Sequence, residues 1–267
     1  MSTQRLHTAV QNAYRVFARH RAPAHPLNVC IGCCMSPKLE QEMRTLPLCQ
    51  LGPNHFTEYA DGAKSASKQG AAEIKYLLPR WLELLAEGHE LRHSLEITLD
   101  RVGNCPPDSF NDTERTALDA FMLAFFDARM SGQIQRDGRW FWAEPMDLLL
   151  MADYAGLDVL PLLTHWTAMA HPQATLGFVT AVYWDYLPKG EISAVFAGDR
   201  LAFKTKMRAW LEAPEIKAAF ARKLMEPDFL TLVAQHPPYG RTPIALMVDA
   251  VFDHLANCQQ SNEKRKP

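Results

Sequence analysis

The chain has 267 residues, of which 48% are hydrophobic and 22% are charged. This composition is typical of a globular protein and excludes the disordered, collagen-like and disulfide-scaffold classes for most of the length. The formal net charge of −2 gives no bulk attraction to nucleic acid. The length fits one large domain or two modest ones.

The first residues predict a helix rather than a targeting segment. Leu6, Val10, Ala13 and Phe17 fall on one face of a helix. Polar residues such as His7 interrupt the apolar run before it reaches the length of a signal-peptide core. We therefore expect a cytoplasmic protein whose cysteines are free thiols.

The next helices are marked by caps and by one internal proline. Ser36 and Pro37 combine an N-cap with proline at the first helical position, and they predict a helix over 38–44. A second helix is expected over 71–88. Pro79 must kink this second helix or start a new one, because proline lacks the N–H that the helix needs.

The N-terminal part is otherwise less regular. Residues 22–70 are expected to be rich in loops, and residues 89–102 fit a strand or a helix equally well. The run Gly-Asn-Cys-Pro-Pro-Asp at 103–108 is the strongest breaker of secondary structure. We therefore predict a Cys-containing N-terminal region with helices at 1–106 and an α-helical domain at 107–267.

Signals for the start and the end of helices recur after residue 108. Asn111 or Asp112 caps a helix with Glu114 in its first turn, and Gly132 ends it. Short links between helices imply antiparallel neighbours, and no convincing hairpin turn is present. The predicted fold class is therefore all-α, built of antiparallel helix pairs. Further helices are expected at 144–155, 158–170, 173–186, 199–211, 214–225, 227–235 and 242–257.

The longest uncharged run covers residues 159–184 and is long enough to span a bilayer. Its middle contains His171 and Pro172, and a polar residue and a proline at the centre are typical of two helices joined by a turn. We therefore predict two buried helices here and no membrane association.

One pentapeptide resembles a metalloprotease motif. His89, Glu90 and His93 match the H-E-x-x-H pattern, in which two imidazoles one helical turn apart bind zinc and the glutamate activates water. No third ligand is convincing, because Glu114 lies beyond the break, and Gly88 favours a helix end. The other interpretation is a surface segment with two solvated histidines. A zinc-dependent hydrolase using these residues is the alternative function.

A second cluster contains cysteines. Cys30, Cys33 and Cys34 resemble half of a zinc site, with Cys49 and His55 downstream. A structural zinc site normally shows two such pairs, and here there is one. The alternative is that the thiols are small buried hydrophobic groups in a tight glycine turn. We expect no metal ligand and no cofactor.

Acidic residues accumulate in one part of the chain. Residues 140–199 contain seven carboxylates and one lysine, a local charge of −6. Aromatic residues interleave with them, and such a surface suits a basic protein partner. The other interpretation is that the acids cap helices and the aromatic residues lie in the core. The candidate partner-binding residues are Trp140, Trp142, Glu144, Asp147, Asp153, Asp158 and Asp185.

The N-terminal block, residues 25–102, contains a recognisable set of residues. Its markers include Cys30, Cys33, Cys34, Met35, Ser36, Met43, Pro47, Leu48, His55, Phe56, Tyr59, Ala63, Lys64, Ser65, Glu73, Ile74, Tyr76, Leu78, Pro79, Arg80, His93, Glu96, Leu99 and Arg101. The block resembles a group of uncharacterised bacterial proteins often encoded beside Rhs-type and other polymorphic toxins. Such neighbours are typically immunity proteins of type VI secretion effectors. The resemblance carries no described active site and does not extend to the helical remainder.

The resemblance implies a non-enzymatic immunity protein that binds and neutralises a cognate toxin domain in the cytoplasm. Toxins of this class are often nucleases, which are basic where they bind phosphate. The acidic segment would complement such a surface, so we expect a basic toxin domain as partner, with no direct nucleic-acid or membrane binding. Two other classes stay open: the zinc-dependent hydrolase, and a metal-binding or scaffolding protein that uses the cysteine turn.

Overall fold

The computed structural model shows a chain that divides into two compact units, both built almost wholly of helices. The first unit comprises Met1–Trp142 and Asp147–Asp158, and the second comprises Ala143–Met146 and Val159–Pro267. The structure describes residues 2–63, 65–132, 135–136, 139–140 and 145–263, with side chains described for 3–63, 65–132 and 145–256.

The predicted all-α fold class is confirmed. The helices up to residue 158 are α1 (Ser2–Phe17), α2 (Pro37–Thr45), α3 (Pro53–Asp61), α4 (Lys68–Ala86), α5 (Asp100–Gly103), α6 (Asp112–Met130) and α7 (Pro145–Tyr154). The helices after it are α8 (Leu160–Ala168), α9 (Pro172–Asp185), α10 (Leu201–Glu212), α11 (Pro214–Leu224), α12 (Pro227–Gln235) and α13 (Ile244–Glu263). Two 3-10 turns lie at Leu48–Gln50 and Val195–Ala197.

One small hairpin departs from the expectation that the chain has none. The two-residue strands β1 (Gln135–Arg136) and β2 (Arg139–Trp140) pair antiparallel, with Gln135 opposite Trp140. The pairing is too short to give a sequence alternation that could be detected.

The predicted N-caps at Ser36 and Asn111 are confirmed. The Ser36 hydroxyl accepts the Leu39 N–H at 3.2 Å and starts α2. At the start of α6, the Asn111 side chain accepts the Glu114 N–H at 3.0 Å, and Glu114 accepts the Asn111 N–H at 3.1 Å. This reciprocal pair is a capping box.

The loop-rich expectation for residues 22–70 is only partly right, because α2 and α3 both lie in that range. Helix α3 is not among the predicted elements, although Pro53 stands at its first turn, where proline is favoured. Of the two outcomes expected at Pro79, a kink or a new helix, the new helix is excluded, because α4 continues through Pro79 to Ala86. Pro79 and its neighbours Leu78 and Trp81 are buried, and this packing offsets the lost helical hydrogen bond.

The predicted boundary at 106–107 lies inside the first unit. Helix α6, which follows that boundary, packs on α1, and α1 also packs on α4. Further on, a Cβ added to Gly103 would lie 2.0 Å from the carbonyl oxygen of Tyr154. The end of α7 therefore also contacts the N-terminal helices, and the Pro-Pro break after Gly103 is an internal turn of this unit.

Glu114, in α6, joins α4 and the segment that follows α1 from a fully buried position. Its carboxylate accepts hydrogen bonds from Arg19 at 2.6 Å, His20 at 2.8 Å and Lys75 at 2.8 Å. Burial alone raises the pKa of Glu114, but the hydrogen bonds from Lys75, Arg19 and His20 outweigh burial and lower the pKa to about 2. The ionised form of Glu114 is therefore the form that the folded state holds.

The second unit is organised around α11, which packs against α8, α9, α10, α12 and α13. Its core is aromatic. Phe178 and Phe220 stack with ring centroids 3.6 Å apart, and Trp166 stacks on Trp210 at 5.4 Å. For Trp166, which belongs to the aromatic set of residues 140–199, the interpretation as a core side chain is confirmed.

The uncharged run forms two helices, α8 and α9, as predicted. Lys223 from α11 caps the C-terminal end of α8, and its Nζ donates to the carbonyls of Thr167 and Met169 at 2.7 and 2.5 Å. The positive charge of Lys223 also interacts favourably with the negative, C-terminal end of the helix dipole. Within the described chain, no helix has both the length and the apolar character that a membrane crossing requires.

We expect acid to remove the stabilisation that comes from Glu114. Its native pKa of about 2 lies below the ordinary value of 4.5, so this stability is present above about pH 4.5 and is lost as the pH falls towards 2, by up to about 3 kcal/mol. Denaturant unfolding of wild type and Glu114→Gln from pH 7 to pH 2 measures this contribution. The difference between their free energies of unfolding should shrink as the pH falls.

The half-exposed Glu87, changed to Gln, is the matched control and should show little pH-dependent difference from wild type. A difference between wild type and Glu114→Gln that is constant from pH 7 to pH 2 would contradict the assigned role of the Glu114 carboxylate.

Candidate functional site

Three thiols lie together on the surface of the first unit. Cys30 and Cys33 are exposed and Cys34 is half-buried. Their three Sγ atoms all lie within 4.8 Å of one another. The interpretation of these cysteines as small buried hydrophobic groups is therefore wrong for Cys30 and Cys33, and Cys34 is only partly buried.

The cysteine segment, residues 27–36, is a closed turn held by its own main chain. The carbonyl of Cys30 accepts the N–H groups of Cys34 and Met35 at 3.0 and 3.1 Å. The Gly32 N–H donates to the Met35 carbonyl at 2.7 Å, and Gly32 has a φ of +83°. This left-handed conformation favours glycine, so the tight turn expected at this residue is present.

Both ends of the cysteine segment are fixed by carboxylates from α2, α3 and α4. Each accepts a main-chain N–H: Glu40 from Leu27 at 2.9 Å, Glu58 from Ser36 at 2.8 Å, and Glu73 from Asn28 at 3.0 and 3.1 Å. The side chains of Leu27 and Met35 are buried. The segment is therefore anchored at both ends while its thiols stay accessible.

Glu73 is the centre of a buried polar network. It also accepts hydrogen bonds from the Tyr59 hydroxyl at 3.2 Å and from Gln69 at 2.8 Å. The Arg101 guanidinium lies over the Tyr59 ring, 4.1 Å from its centroid, and donates to the Gly62 carbonyl at 2.8 Å. Burial raises the pKa of Glu73, although the hydrogen bonds it accepts oppose that rise.

The downstream residues Cys49 and His55 do not belong to the thiol cluster. His55 Nδ1 accepts the Gly52 N–H at 3.1 Å, and its Nε2 pairs with Glu42 at 3.0 Å. His55 therefore has a capping role at the start of α3. Cys49 is exposed and lies outside the group of three sulfurs.

The H-E-x-x-H residues do not form a helical zinc motif. His89, Glu90 and His93 lie in an irregular segment before α5 rather than on a helix. His93 pairs with Asp61 at 3.1 Å, and His89 is 3.6 Å from Glu87. In the part of the chain that the structure describes, the cysteine cluster is the one group of three or more ligand atoms close enough to hold a metal ion.

The acidic candidates are divided between the two units. Asp147, Asp153 and Asp158 belong to the first unit and Asp185 to the second. Of these four residues, Asp158 is exposed and the others are half-buried. Trp142 and Glu144 lie outside the described residues, and only the backbone of Trp140 is described, in β2.

Asp147 has an interaction inside its own unit. It acts on the buried guanidinium of Arg129, which lies 5.7 Å from the centroid of the Phe125 ring. Burial lowers the pKa of Arg129 to about 10, and Asp147 opposes this shift. The negative charge of Asp147 therefore favours the charged form of Arg129 within this unit.

Trp184 stands apart from the other tryptophans of the second unit. Its side chain is 43% exposed, and its ring contacts Tyr183 edge-on at 4.9 Å and lies 6.3 Å from Tyr239. The buried face of α9 is formed by residues such as Phe178 and Val182, so Trp184 lies off that face. The docking interpretation of the aromatic residues stays open for Trp184.

No protein-family model, curated protein or solved structure matches the chain. Its function is therefore inferred from the arrangement of its own residues and from the resemblance of its N-terminal block.

Proposed function

We propose that the protein is an immunity protein that binds and neutralises a cognate secreted antibacterial toxin domain in the cytoplasm of the producing cell. The observation that carries this proposal is the set of exposed large apolar side chains on the second unit. Large exposed apolar side chains that lie side by side in one patch are typical of surfaces that bind other proteins. They are Leu160, Trp184, Val195, Leu201, Met225, Leu230 and Leu246.

Trp184 supplies the strongest candidate anchor in this set. Tryptophan is enriched among the few residues that carry most of the binding energy at protein interfaces. Tyr183 lies against the Trp184 ring, so the side chain is partly ordered before a partner arrives. Less conformational entropy is then lost on binding.

Exposed carboxylates among residues 140–199 support a basic partner. Glu191 and Asp199 are exposed, as is Asp158 at the end of the first unit. Exposed carboxylates of one sign speed the approach of a positively charged surface. A nuclease toxin is basic where it binds phosphate, and this is the class of toxin that we propose.

The resemblance implies a toxin gene beside the gene of this chain, and the direct test is coexpression of the chain with that toxin domain. We expect the chain to restore growth and to form a stable complex with the purified toxin domain. A chain that neither binds that toxin domain nor protects cells from it would overturn the proposal.

We predict that Trp184→Ala weakens toxin binding by about 30-fold, which corresponds to about 2 kcal/mol, because it removes the aromatic anchor. Calorimetric titration measures this loss. Trp184→Phe should retain part of the affinity, and Leu123→Ala, which truncates an exposed apolar side chain of the first unit, should retain all of it. Equal affinities for the Trp184→Ala and Leu123→Ala variants would exclude Trp184 from the interface.

We predict that reversing the exposed acids Asp158, Glu191 and Asp199 to lysine slows toxin association at low salt. The matched control reverses the exposed Glu215, Glu226 and Asp228, which lie outside residues 140–199 and give the same change in net charge. Stopped-flow association at two salt concentrations separates the two triple variants, because added salt screens the attraction. Equal slowing of both would show that net charge alone matters.

A further inference from the structure

We propose that Cys30, Cys33 and Cys34 form a binding site for one Zn²⁺ ion on the surface of the first unit. In a tetrahedral site with Zn–S bonds of about 2.3 Å, neighbouring sulfurs are about 3.8 Å apart. The three Sγ atoms here lie within 4.8 Å of one another. Since the thiols are accessible, small rotations about their Cα–Cβ bonds bring the sulfurs to that spacing.

The backbone beneath the thiols is already arranged for a metal ion. The turn is closed by hydrogen bonds to the Cys30 carbonyl. Buried carboxylates such as Glu40 and Glu73 hold one end of the segment. A loop fixed in this way loses little conformational entropy when it binds an ion, so the interaction energy is kept for binding.

The donor set selects the metal. Three thiolates are soft ligands, which favour Zn²⁺ over the oxygen-binding ions Ca²⁺ and Mg²⁺. Among the described residues, the cluster contains no fourth His, Cys, Asp or Glu. The site is therefore a three-cysteine site whose fourth position is open to water or to a ligand from outside the chain.

This inference does not depend on the proposed immunity function, and no toxin is needed to test it. Reduced, metal-free full-length protein is titrated with Co²⁺ and then with Zn²⁺. We expect one Co²⁺ per chain with a sulfur-to-cobalt charge-transfer band, which Zn²⁺ abolishes by displacing Co²⁺.

The single variants Cys30→Ser, Cys33→Ser and Cys34→Ser should each lower the Zn²⁺ affinity by about 100-fold or more, because each loses one of three ligands. Cys49→Ser removes an exposed thiol outside the cluster and should bind like wild type. Circular dichroism checks that each variant is folded. If Cys34→Ser does not fold, the Cys30→Ser and Cys33→Ser variants still test the site, because both positions are exposed.

Two results would overturn the site. One is the absence of the charge-transfer band in reduced wild-type protein whose thiols are shown to be free. The other is binding of Co²⁺ and Zn²⁺ by the triple serine variant with the affinity of wild type.

Discussion

The cysteine segment takes its shape from carboxylates that accept its main-chain N–H groups. Glu40 and Glu73 are buried and Glu58 is half-buried, and each comes from a different helix. A buried N–H left without an acceptor costs about 1–3 kcal/mol, so these acceptors select one path for residues 27–36. The helices of the first unit thereby hold a segment without regular secondary structure and leave its thiols in solvent.

The same constraint explains the position of several marker residues of the N-terminal block. Tyr59, Glu73 and Arg101 are markers of the resemblance, and the structure places all three in the network beneath the cysteine segment. Ser36 has two roles, because its N–H donates to Glu58 and its hydroxyl caps α2. These markers are therefore residues of a scaffold, and the proposed binding surfaces lie elsewhere: at the thiols and at the apolar side chains of the second unit.

Most of the helices could be predicted because their signals are local. The caps at Ser36 and Asn111 depend on residues within four positions of each other. The helices α8–α12 agree with their predicted ranges to within two residues, and α13 extends six residues beyond its predicted end at 257. The sequence indicated a boundary at 106–107 and either a kink or a new helix at Pro79, whereas the structure places 106–107 inside the first unit and continues α4 through Pro79. Contacts of α1 with α4 and α6 join segments on both sides of the Pro-Pro turn, and no local pattern reveals such contacts.

The candidate sites were harder to predict because exposure depends on distant partners. The spacing of Cys30, Cys33 and Cys34 indicates a turn, but their accessibility follows from carboxylates up to 45 residues away in the chain. The spacing of His89 and His93 indicates a zinc motif only if they lie on a helix, and they do not. The sequence does not distinguish Trp184 from the other aromatic residues, because its exposure depends on which face of α9 is buried.

Amide hydrogen exchange by NMR tests the central claim most directly. The structure predicts that the amides of Leu27, Asn28 and Ser36 exchange slowly although they lie outside helices. In Glu73→Ala, the Asn28 amide should lose its protection, while the Leu27 amide, which Glu40 accepts, should keep it. Exchange of the Asn28 amide in wild type at the rate of an exposed loop, or unchanged protection in Glu73→Ala, would contradict the claim that these carboxylates hold the cysteine segment.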